Sequence, residues 1–521
     1  MSNRREFLQT FLGSSAGALL LGELTSTRVL SAASLSSLLN PQTAGPWELM
    51  VPTILARIKA PAFPARDFPV TSFGAKADGK TDCTYAFHKA IESCSRAGGG
   101  RVLVPAGEFL TGPIHLRSNV NLHVTKRATI KFSQDPRKYL PVVFTRWEGM
   151  ELMNYSPFIY AFEQTNIAIT GEGIIDGRAD CEHWWPWKGR TQCGWKKGDP
   201  EQSKARSLLY EYVAKGASVN ERVFGDGSFL RPQFIQPYRC QNVLIEGVTL
   251  RNSPMWQIHP VLCTNVTVRG VNIEREENAT GQTGPNTDGC DPESCRDVLI
   301  ENCVFATGDD CIAIKAGRNN DGRRVAVPSE NIVIRGCRMK DGHGGITVGS
   351  EISGGVRNVF AENCRLDSAN LNIALRFKNN ALRGGRLENF YFRKIEVGQV
   401  SDAVLTIDFN YEEGEKGPFT PVVRNVVVSN LLSGKSPRAL DLQGFKQAPI
   451  YNVRLEDCTF DNVASGNIVK NVQGLELRNV RINGKLVTEI GRRNVGDGRT
   501  EQSLSRRNIH VAEELDEQNY G

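Results

Sequence analysis

Short runs of alternating apolar and polar residues recur through most of the chain, and polar turns separate them. Examples are NVLIEGVTL from Asn242, NVTVRGVNI from Asn265 and DVLIENCVF from Asp297. A period of two residues is typical of a β-strand that buries one face. Each run therefore predicts a pair of short strands joined by a turn.

The same pattern recurs towards the C-terminus, and less regular copies begin earlier, at Asn119 and Asn166. The later copies are NIVIRGCRM from Asn331, NVFAENCRL from Asn358, NFYFRKIEV from Asn389, NVVVSNLLS from Asn425 and NVRLEDCTF from Asn452. The starts from Asn242 onwards are spaced by 23, 32, 34, 27, 31, 36 and 27 residues. One such unit cannot bury its own apolar face, whereas stacked units share a continuous core. We therefore predict an all-β fold, a parallel β-helix whose corner loops absorb the differences in spacing.

One segment before most of the repeats has the period of a helix instead. Residues 84–97 place five apolar residues on one helical face, and the glycines at 98–100 end the helix. Those five residues are Ala86, Phe87, Ala90, Ile91 and Cys94. Because an open solenoid end exposes its core, we expect this short N-terminal helix to cap that end.

Residues 178–238 do not fit the repeat, although they lie between two of its units. They contain four tryptophans: Trp184, Trp185, Trp187 and Trp195. We interpret them as one insertion in a β-helix domain that spans residues 67–490. A linker, residues 34–66, precedes the domain, and a polar, loosely ordered tail, residues 491–521, follows it.

The N-terminus resembles an export signal. Arg4 and Arg5 precede a modest apolar stretch, Phe11–Leu21, and small residues near Ala33 offer a cleavage site. The alternative is a buried N-terminal helix. The apolar stretch is too short to span a membrane. Residues 1–33 therefore predict a twin-arginine signal peptide, and hence export of the folded protein to the periplasm or beyond the cell.

The composition is that of an ordinary globular protein and limits the choice of partners. Apolar residues make up 40% of the 521 residues, charged residues 23%, and the formal net charge is +6. The chain has no lysine- or arginine-rich run with interleaved aromatic residues, so neither a nucleic acid nor a membrane is expected as a partner. The mild positive charge is compatible with an anionic substrate. We expect a monomer.

The 13 cysteines include a set that recurs with the repeat. Cys303, Cys337, Cys364 and Cys458 occupy the same place in their units. A free cysteine behaves as a small buried hydrophobe. We therefore expect these thiols to stack as an interior column, although an exported protein can also form disulfides.

Candidate chemistry comes from polar clusters in consecutive repeats. The clusters are Asn286-Thr287-Asp288, Gly308-Asp309-Asp310, Gly342-His343-Gly344 and Arg376-Phe377-Lys378. Residues one repeat apart in a stacked solenoid lie about 4.8 Å above one another. Each cluster alone fits an ordinary turn or exposed strand, but their common register predicts that three aspartates, a histidine, an arginine and a lysine converge on one outer face.

Two adjacent acids, Asp309 and Asp310, stand at the start of an apolar run. On a regular strand one of them would face the core, where an unpaired carboxylate is strongly disfavoured. Either the backbone bends, or one acid is buried with a partner. We interpret Gly308 as the bend, so that both acids turn outwards into a cleft.

Such a cluster suits the hydrolysis of a glycosidic bond. With inversion, one protonated carboxyl donates to the leaving oxygen and a carboxylate opposite activates water, the two being about 6.5–9.5 Å apart. Crowded acids raise one another's pKa, so a cluster supplies both protonation states at mildly acidic pH. Arg376 and Lys378 beside the acids favour a sugar that carries a carboxylate, a uronic acid.

The clusters, in this order, resemble those of glycoside hydrolase family 28, the polygalacturonases of pectin breakdown. The resemblance extends over roughly residues 68–484. It includes FGAKADGKTDCTYAF from Phe73, GGGRVLVPAGEFLTGPIHLRSNVNL from Gly98, RWEGMELMNYSPFIYA from Arg146 and NSPMWQIHP from Asn252. It implies a right-handed parallel β-helix that hydrolyses α-1,4 galacturonosyl links in pectic polysaccharide with inversion, without a cofactor or metal.

The resemblance also implies roles for individual residues. Asp309 matches the general acid, and Asp288 and Asp310 match the pair that activates water. His343 matches the residue that tunes the acid's protonation. The matching substrate-binding residues are Arg376, Lys378 and Asn286. Gly308 stands where fungal enzymes usually have glutamine, which indicates a bacterial type.

Other functions remain open at this point. A pectate lyase is also a parallel β-helix, but it needs acidic Ca²⁺ ligands and an arginine base, which the ordered clusters do not match. A non-catalytic sugar-binding solenoid has no need for three stacked aspartates and a histidine. Within the family, rhamnogalacturonan and xylogalacturonan are alternative substrates.

The insertion suggests the mode of attack. Residues 178–238 precede the catalytic turns directly, and their tryptophans can wall off a pocket or stack on sugar rings. If the insertion closes one end of the cleft, the enzyme is exo-acting. The alternative is that the tryptophans only pack the insertion onto the side of the solenoid.

Overall fold

The computed structural model describes residues 45–274 and 283–490. The chain forms two units, residues 1–52 and 53–521. Of the first unit, residues 45–52 are described, and residues 46–52 lie in helix α1 (Pro46–Arg57). The predicted linker is therefore partly helical. The predicted signal peptide, residues 1–33, and the polar tail, residues 491–521, lie outside the described residues.

The second unit is dominated by strands, numbered β1 to β35 along the chain, which form three stacks. In the first stack each strand pairs in parallel with the next. Its members are β1 (Asp67–Pro69), β3 (Gly100–Val104), β6 (Val120–Val124), β11 (Thr165–Gly171), β14 (Gln241–Glu246), β16 (Thr264–Arg269), β18 (Arg296–Glu301), β21 (Ser329–Arg335), β23 (Val356–Glu362), β26 (Arg386–Val397), β28 (Val422–Ser433), β30 (Ile450–Glu456) and β33 (Val472–Arg478).

The second stack runs beside the first, and its strands also pair in parallel. The ends of β26 and β28 bend into it. Its other members are β2 (Asp78–Asp82), β4 (Gly107–Thr111), β7 (Ala128–Phe132), β12 (Ile174–Asp176), β15 (Thr249–Arg251), β17 (Asn272–Ile273), β19 (Val304–Ala306), β22 (Arg338–Val348), β24 (Arg365–Leu366), β31 (Thr459–Phe460) and β34 (Val480–Ile482).

The third stack completes the coil and later carries the polar clusters. Bridge residues Ile258 and Cys290 continue it between β13 and β20, and the second half of β22 joins it. Its strands are β5 (Ile114–His115), β10 (Ile159–Phe162), β13 (Ile235–Tyr238), β20 (Ile312–Ile314), β25 (Leu371–Lys378), β27 (Ala403–Asp408), β29 (Arg438–Gln443) and β32 (Ile468–Lys470). Outside the stacks, β8 (Val143–Trp147) pairs antiparallel with β9 (Met150–Asn154), and β35 (Lys485–Val487) with β34.

Three parallel stacks wound by one chain confirm the predicted β-helix. Inward residues of all three stacks form one continuous apolar core. Helix α2 (Thr84–Arg96) covers its N-terminal end and buries the five predicted residues: Ala86, Phe87, Ala90, Ile91 and Cys94. The short capping helix is therefore confirmed as well.

The recurrent asparagines form a ladder at one corner of the coil. Each adopts the left-handed conformation, with φ between 53° and 64°, which asparagine tolerates better than most residues. The side-chain amide of each donates to the oxygen of the one before, as Asn358 does to Asn331 and Asn389 to Asn358, both at 3.1 Å. We call this row, Asn119 to Asn452, the asparagine ladder.

The ladder has one interruption, at Asp297, whose carboxylate cannot donate to Asn265. An early segment of the chain fills the gap. Arg57 donates to both oxygens of Asp297, at 2.9 and 2.6 Å. The backbone of Lys59 exchanges two hydrogen bonds with the Asn265 amide, at 2.9 and 3.0 Å. Both corner residues are therefore satisfied across the break.

The cysteines divide into two kinds. Cys303, Cys337, Cys364 and Cys458 are free and buried, as expected of an interior column. Cys181 forms a disulfide with Cys193 in the insertion. The disulfide thus lies in the irregular part of the chain, where no ladder of strands holds the backbone.

The insertion is shorter than the sequence suggested. It contains helix α3 (Ser203–Lys215) and short 3₁₀ turns, one of them Trp185–Lys188. Strand β13, which we had assigned to it, pairs in register with β10 and belongs to the third stack. Pro237 and the brevity of the strand hid this pairing from the sequence pattern. Helix α4 (Asn319–Val325) is a separate, short helix after β20.

Candidate active site

The four polar clusters lie on the outer side of the third stack, along one cleft of about 1170 Å³. Asp288 lies in the turn before the bridge residue Cys290, and Asp309 lies in the turn before β20. His343 is part of β22, and Arg376 is part of β25. Because neighbouring turns pair in register, the structure brings all four clusters together.

Asp288, Asp309 and Asp310 form what we call the acid cluster. One carboxylate oxygen of each lies within 4.8 Å of the others. The side chain of Asp309 is 18% exposed, whereas Asp288 and Asp310 are buried. The expectation that both adjacent acids turn out into the cleft is therefore wrong for Asp310.

Asp310 is buried because cations from a later turn reach it. Lys378 Nζ lies 2.8 Å from its Oδ2, and Arg376 Nη1 lies 3.6 Å from its Oδ1. A paired and hydrogen-bonded carboxylate tolerates burial, whereas a lone one does not. Gly344 leaves the space, because a Cβ there would lie 2.6 Å from Asp310 Oδ1.

Gly308 is required by crowding around its Cα. A Cβ at this position would lie 2.2 Å from the carbonyl oxygen of Gly284 and 2.6 Å from Thr287 Oγ1. The Gly308 N–H donates to Thr287 Oγ1 at 3.1 Å. The glycine thus lets the turn that carries Asp309 approach the turn that carries Asp288.

Asp309 is held by His343 and by the backbone. His343 Nδ1 lies 3.1 Å from Asp309 Oδ1, and the Asp310 N–H donates to the same oxygen at 2.9 Å. Burial alone would raise the pKa of Asp309, but the charges of His343, Lys378 and Lys315 outweigh it and hold the pKa well below its ordinary value. Asp309 is therefore ionised when the cleft is empty.

The pKa of Asp288 is shifted in the opposite direction. Burial, followed by the charge of Asp309, raises its pKa to about 8, although Lys315 opposes the shift. Lys315 Nζ lies 3.4 Å from Asp288 Oδ2. In the empty site a proton therefore rests on Asp288 at neutral and mildly acidic pH, while Asp309 carries a negative charge. The acid cluster supplies both protonation states at once, as the sequence led us to expect.

The two predicted carboxylate binders share an aromatic neighbour. The Arg376 guanidinium lies 5.7 Å and the Lys378 ammonium 5.3 Å from the ring centre of Tyr411. Asn286, the third predicted binder, accepts a hydrogen bond from Arg231 Nη2 at 2.7 Å. All four cleft residues, Arg376, Lys378, Tyr411 and Asn286, line the cavity.

Sequence reasoning missed a second set of charged residues beneath the acid cluster. Lys315 and Glu351 are buried and form an ion pair at 3.2 Å, and Arg318 joins them at 3.3 Å from Glu351. The signal was present in the sequence, since Lys315 directly follows the apolar strand β20. A charge at the end of a buried strand indicates a buried partner.

The two ends of the cleft differ in origin. Residues of the insertion line one end, among them Trp185, Lys188 and Arg190. Residues of the later turns, among them Arg438 and Lys470, line the other. Trp184 is buried in the core, and Trp185, although it lines the cleft, is buried in the same core.

The chain matches two family models. Residues 216–481 match "Glycosyl hydrolases family 28". Residues 68–140 match "Rhamnogalacturonase A/epimerase, pectate lyase-like". The first match covers all four polar clusters, and the second covers the capped N-terminal turns of the coil.

Known proteins are similar over most of the chain. A hyperthermoactive exopolygalacturonase from Thermotoga maritima superposes with a TM-score of 0.80 at 47% identity, over 84% of this chain and 96% of that one. An exo-poly-alpha-D-galacturonosidase of Dickeya chrysanthemi is 26% identical, over 80% of this chain and 74% of its own length. A family 28 exopolygalacturonase from Yersinia enterocolitica has a TM-score of 0.64 at 22% identity, which shows a shared fold.

Proposed function

We propose that this chain, which belongs to glycosyl hydrolases family 28, hydrolyses α-1,4 galacturonosyl linkages of polygalacturonate, the acidic polysaccharide of pectin. The observation that carries the proposal is the convergence of three carboxylates on one cleft, with Arg376 and Lys378 beside them. The acids supply a proton donor and a base, and the cations favour a substrate that carries a carboxylate on each sugar.

The attacking water is proposed to bridge two carboxylates of the acid cluster. Two acceptors that share one water molecule, each at about 2.5–3.0 Å, lie about 4–5 Å apart. The oxygens of Asp288, Asp309 and Asp310 fall within 4.8 Å of one another. A water bridging two of them has its protons directed at carboxylates and a lone pair free for the anomeric carbon.

The proposed roles follow the resemblance and the exposure of each acid. Asp309 faces the cleft and delivers a proton to the leaving oxygen, while Asp288 and Asp310 hold the water. In the empty site the proton rests on Asp288, so the reaction requires it to pass to Asp309 once substrate is bound. His343, 3.1 Å from Asp309, is placed to govern that transfer.

Inversion at the anomeric carbon is part of the proposal. The nearest oxygens of the acid cluster are closer than the carboxyl separation of about 6.5–9.5 Å in most inverting enzymes. The stereochemistry therefore rests on the family and not on the spacing. Proton NMR of the first product formed distinguishes the two outcomes: a β-anomer from the α-linked polymer shows inversion, and an α-anomer shows retention.

We also propose an exo mode of attack. The insertion lines one end of the cleft through Trp185, Lys188 and Arg190, and a wall there would stop the chain from running through. The test follows viscosity against reducing ends during digestion of polygalacturonate. Slow loss of viscosity with mono- or disaccharide products supports the exo mode. A steep early fall with mixed oligomers shows internal cleavage and overturns it, while hydrolysis itself still stands.

The exact polymer is decided by product analysis. Polygalacturonate, xylogalacturonan and rhamnogalacturonan are each digested with the purified protein, and reducing ends are measured. Release from polygalacturonate at the highest rate supports the proposal. A preference for either decorated polymer would assign the chain to another activity of the same family, and no release from any of them would favour a binding protein.

The proposal includes export through the twin-arginine route and action as a monomer. The paired Arg4 and Arg5 support the route. No helix among residues 45–274 and 283–490 is long and apolar enough to cross a membrane. Replacing both arginines by lysine should retain the enzyme in the cytoplasm. Sedimentation of the purified protein checks the monomer.

A further inference from the structure

Lys315 lies between the acid cluster and a layer of buried charge. Its Nζ is 3.4 Å from Asp288 Oδ2, 3.2 Å from Glu351 Oε2 and 3.9 Å from Asp291 Oδ2. The ammonium also sits 4.2 Å from the centre of the Trp256 ring. The lysine is buried, so these neighbours, and not water, determine where its charge acts.

The two carboxyl groups behind Lys315, those of Glu351 and Asp291, have pKa values shifted in opposite directions. Glu351 also pairs with Arg318, and although burial opposes it, the charges of Lys315 and Arg318 lower the pKa of Glu351. Asp291 is completely buried, and burial, followed by the charge of Asp288, raises its pKa well above the ordinary value. The neighbouring charges therefore favour the ionised form of Glu351, whereas burial favours the neutral form of Asp291.

Other charged groups act on this lysine more weakly or from farther away. On the cleft side they are Asp309, Asp310 and Lys378. On the core side is His259, which is paired with Glu293 at 2.7 Å. Besides burial, the charge of Lys315 contributes to lowering the pKa of this histidine. With Asp288 itself, Lys315 forms an ion pair at 3.4 Å.

We propose that Lys315 is a positioning residue for the hydrolysis: its ammonium holds the Asp288 carboxylate towards the water site and favours the ionised form of that base, and Glu351 sets how strongly it does so. The inference rests on the proposed function, since it assigns Asp288 to the activation of water. Asp288 Oδ1 has no hydrogen-bond partner in the described residues, so the contact of Oδ2 with Lys315 is the ion pair that orients this carboxylate.

The direction of the expected effects follows from charge. An ammonium favours a nearby carboxylate in its ionised form, so removing Lys315 lets Asp288 keep its proton to higher pH. The proton that Asp309 must receive rests on Asp288, so it is then retained to higher pH, and the alkaline limb of the pH–activity profile moves up. Removing the charge of Glu351 leaves the ammonium less neutralised, so the same limb moves down. Because burial favours the neutral form of Asp291, replacing it by asparagine should alter the charge beside Lys315 least.

The test is the pH dependence of kcat/KM on polygalacturonate for three variants. Lys315→Met keeps the length of the side chain without its charge, and we expect the alkaline limb to move up by about one pH unit. The plateau should fall about tenfold, because a proton held more tightly on Asp288 passes less readily to Asp309. Glu351→Gln should shift the limb in the opposite direction. Asp291→Asn, which touches the same ammonium, is the matched control and should leave the limb in place.

Each outcome decides one point. A wild-type profile in Lys315→Met would overturn the inference. Shifts in the same direction in Lys315→Met and Glu351→Gln would overturn it too, because non-specific damage to the site does not depend on the sign of the charge removed. Thermal melts accompany each profile. If Lys315→Met does not fold, Glu351→Gln and Asp291→Asn carry the test: the first should shift the limb and the second should not. A wild-type enzyme without activity on polygalacturonate would refute the proposed function instead.

Discussion

Two corners of the same coil use the same stacking for different purposes. In the asparagine ladder, every turn except that of Asp297 presents the same neutral amide, which donates to one neighbour and accepts from another. In the acid cluster, neighbouring turns present unlike groups, and Asp310 pairs with Lys378, 68 residues later. Each asparagine of the ladder bonds to the adjacent turns, whereas Asp310 pairs with a strand two turns further along the third stack.

The difference separates stability from chemistry. An amide row has no net charge, so each rung contributes hydrogen bonds and nothing that reacts. The acid cluster concentrates like charges that raise the pKa of Asp288 to about 8. We therefore expect substitutions in the ladder to alter unfolding, and substitutions in the acid cluster to alter turnover.

The largest effect is expected at the most exposed acid. Asp309→Asn removes the proposed proton donor and should lower kcat on polygalacturonate by at least about 100-fold, the usual scale of general acid catalysis. The melting temperature should change little, because a partly exposed side chain contributes little packing. Asp461→Asn, an exposed acid far along the coil, is the control. Near wild-type turnover of folded Asp309→Asn would remove the residue from its proposed role.

A smaller effect is expected at the cations that border the acid cluster. Arg376→Ala should raise KM for unesterified polygalacturonate by about 10-fold or more, the worth of one charge-assisted contact. Methyl-esterified polymer offers no such charge and should lose much less. Initial rates on the two polymers provide the comparison. Equal losses on both would show that the arginine does not bind the sugar carboxylate.

The corresponding change in the ladder should leave chemistry intact. Asn358→Ala removes one rung and leaves the Asn389 amide without its acceptor, so the free energy of unfolding should fall by about 1–3 kcal/mol. Activity per folded molecule should stay at the wild-type level. Asn358→Gly tolerates the left-handed backbone but also lacks the amide, and it isolates the hydrogen bonds from the backbone strain. A loss of turnover without a loss of stability would contradict the division between the two corners.

The last expected effect concerns the pH dependence of stability. Because the pKa of Asp288 is raised from 3.8 to about 8 on folding, the folded state binds more protons than the unfolded state between those values. Its contribution therefore falls as pH rises, by at most about 1.4 kcal/mol per pH unit. Melting curves at pH 5, 6, 7 and 8 measure it. Asp288→Asn should have a flatter profile than wild type, and an unchanged slope would show that the carboxyl does not hold the proton.

The sequence predicted the regular parts of the molecule because they repeat. Alternation and the recurrent asparagines indicated the coil, and the helical period of residues 84–97 indicated the cap. The common register of the four clusters indicated where chemistry lies. Each of these features depends on spacing along the chain, which the sequence displays directly.

What could not be predicted depends on pairs without a fixed spacing. The burial of Asp310 requires Lys378, and the state of Asp288 requires Lys315, but no periodicity connects these residues. Strand β13 was missed because four residues beside a long irregular insertion leave too short a pattern. The direction of the pKa of Asp309 depends on burial and several charges together, and only coordinates give their balance.

The contact between Arg57 and Asp297, which closes the gap in the asparagine ladder, can form only late in the synthesis of the chain. Arg57 and Asp297 are separated by 240 residues. At about 5–20 residues per second, a ribosome needs roughly 10–50 s to make the stretch between them. Throughout that interval the early segment has no site to dock on, since the turns of Asn265 and Asp297 do not yet exist. Its docking therefore marks the moment when the middle of the coil has been synthesised and wound.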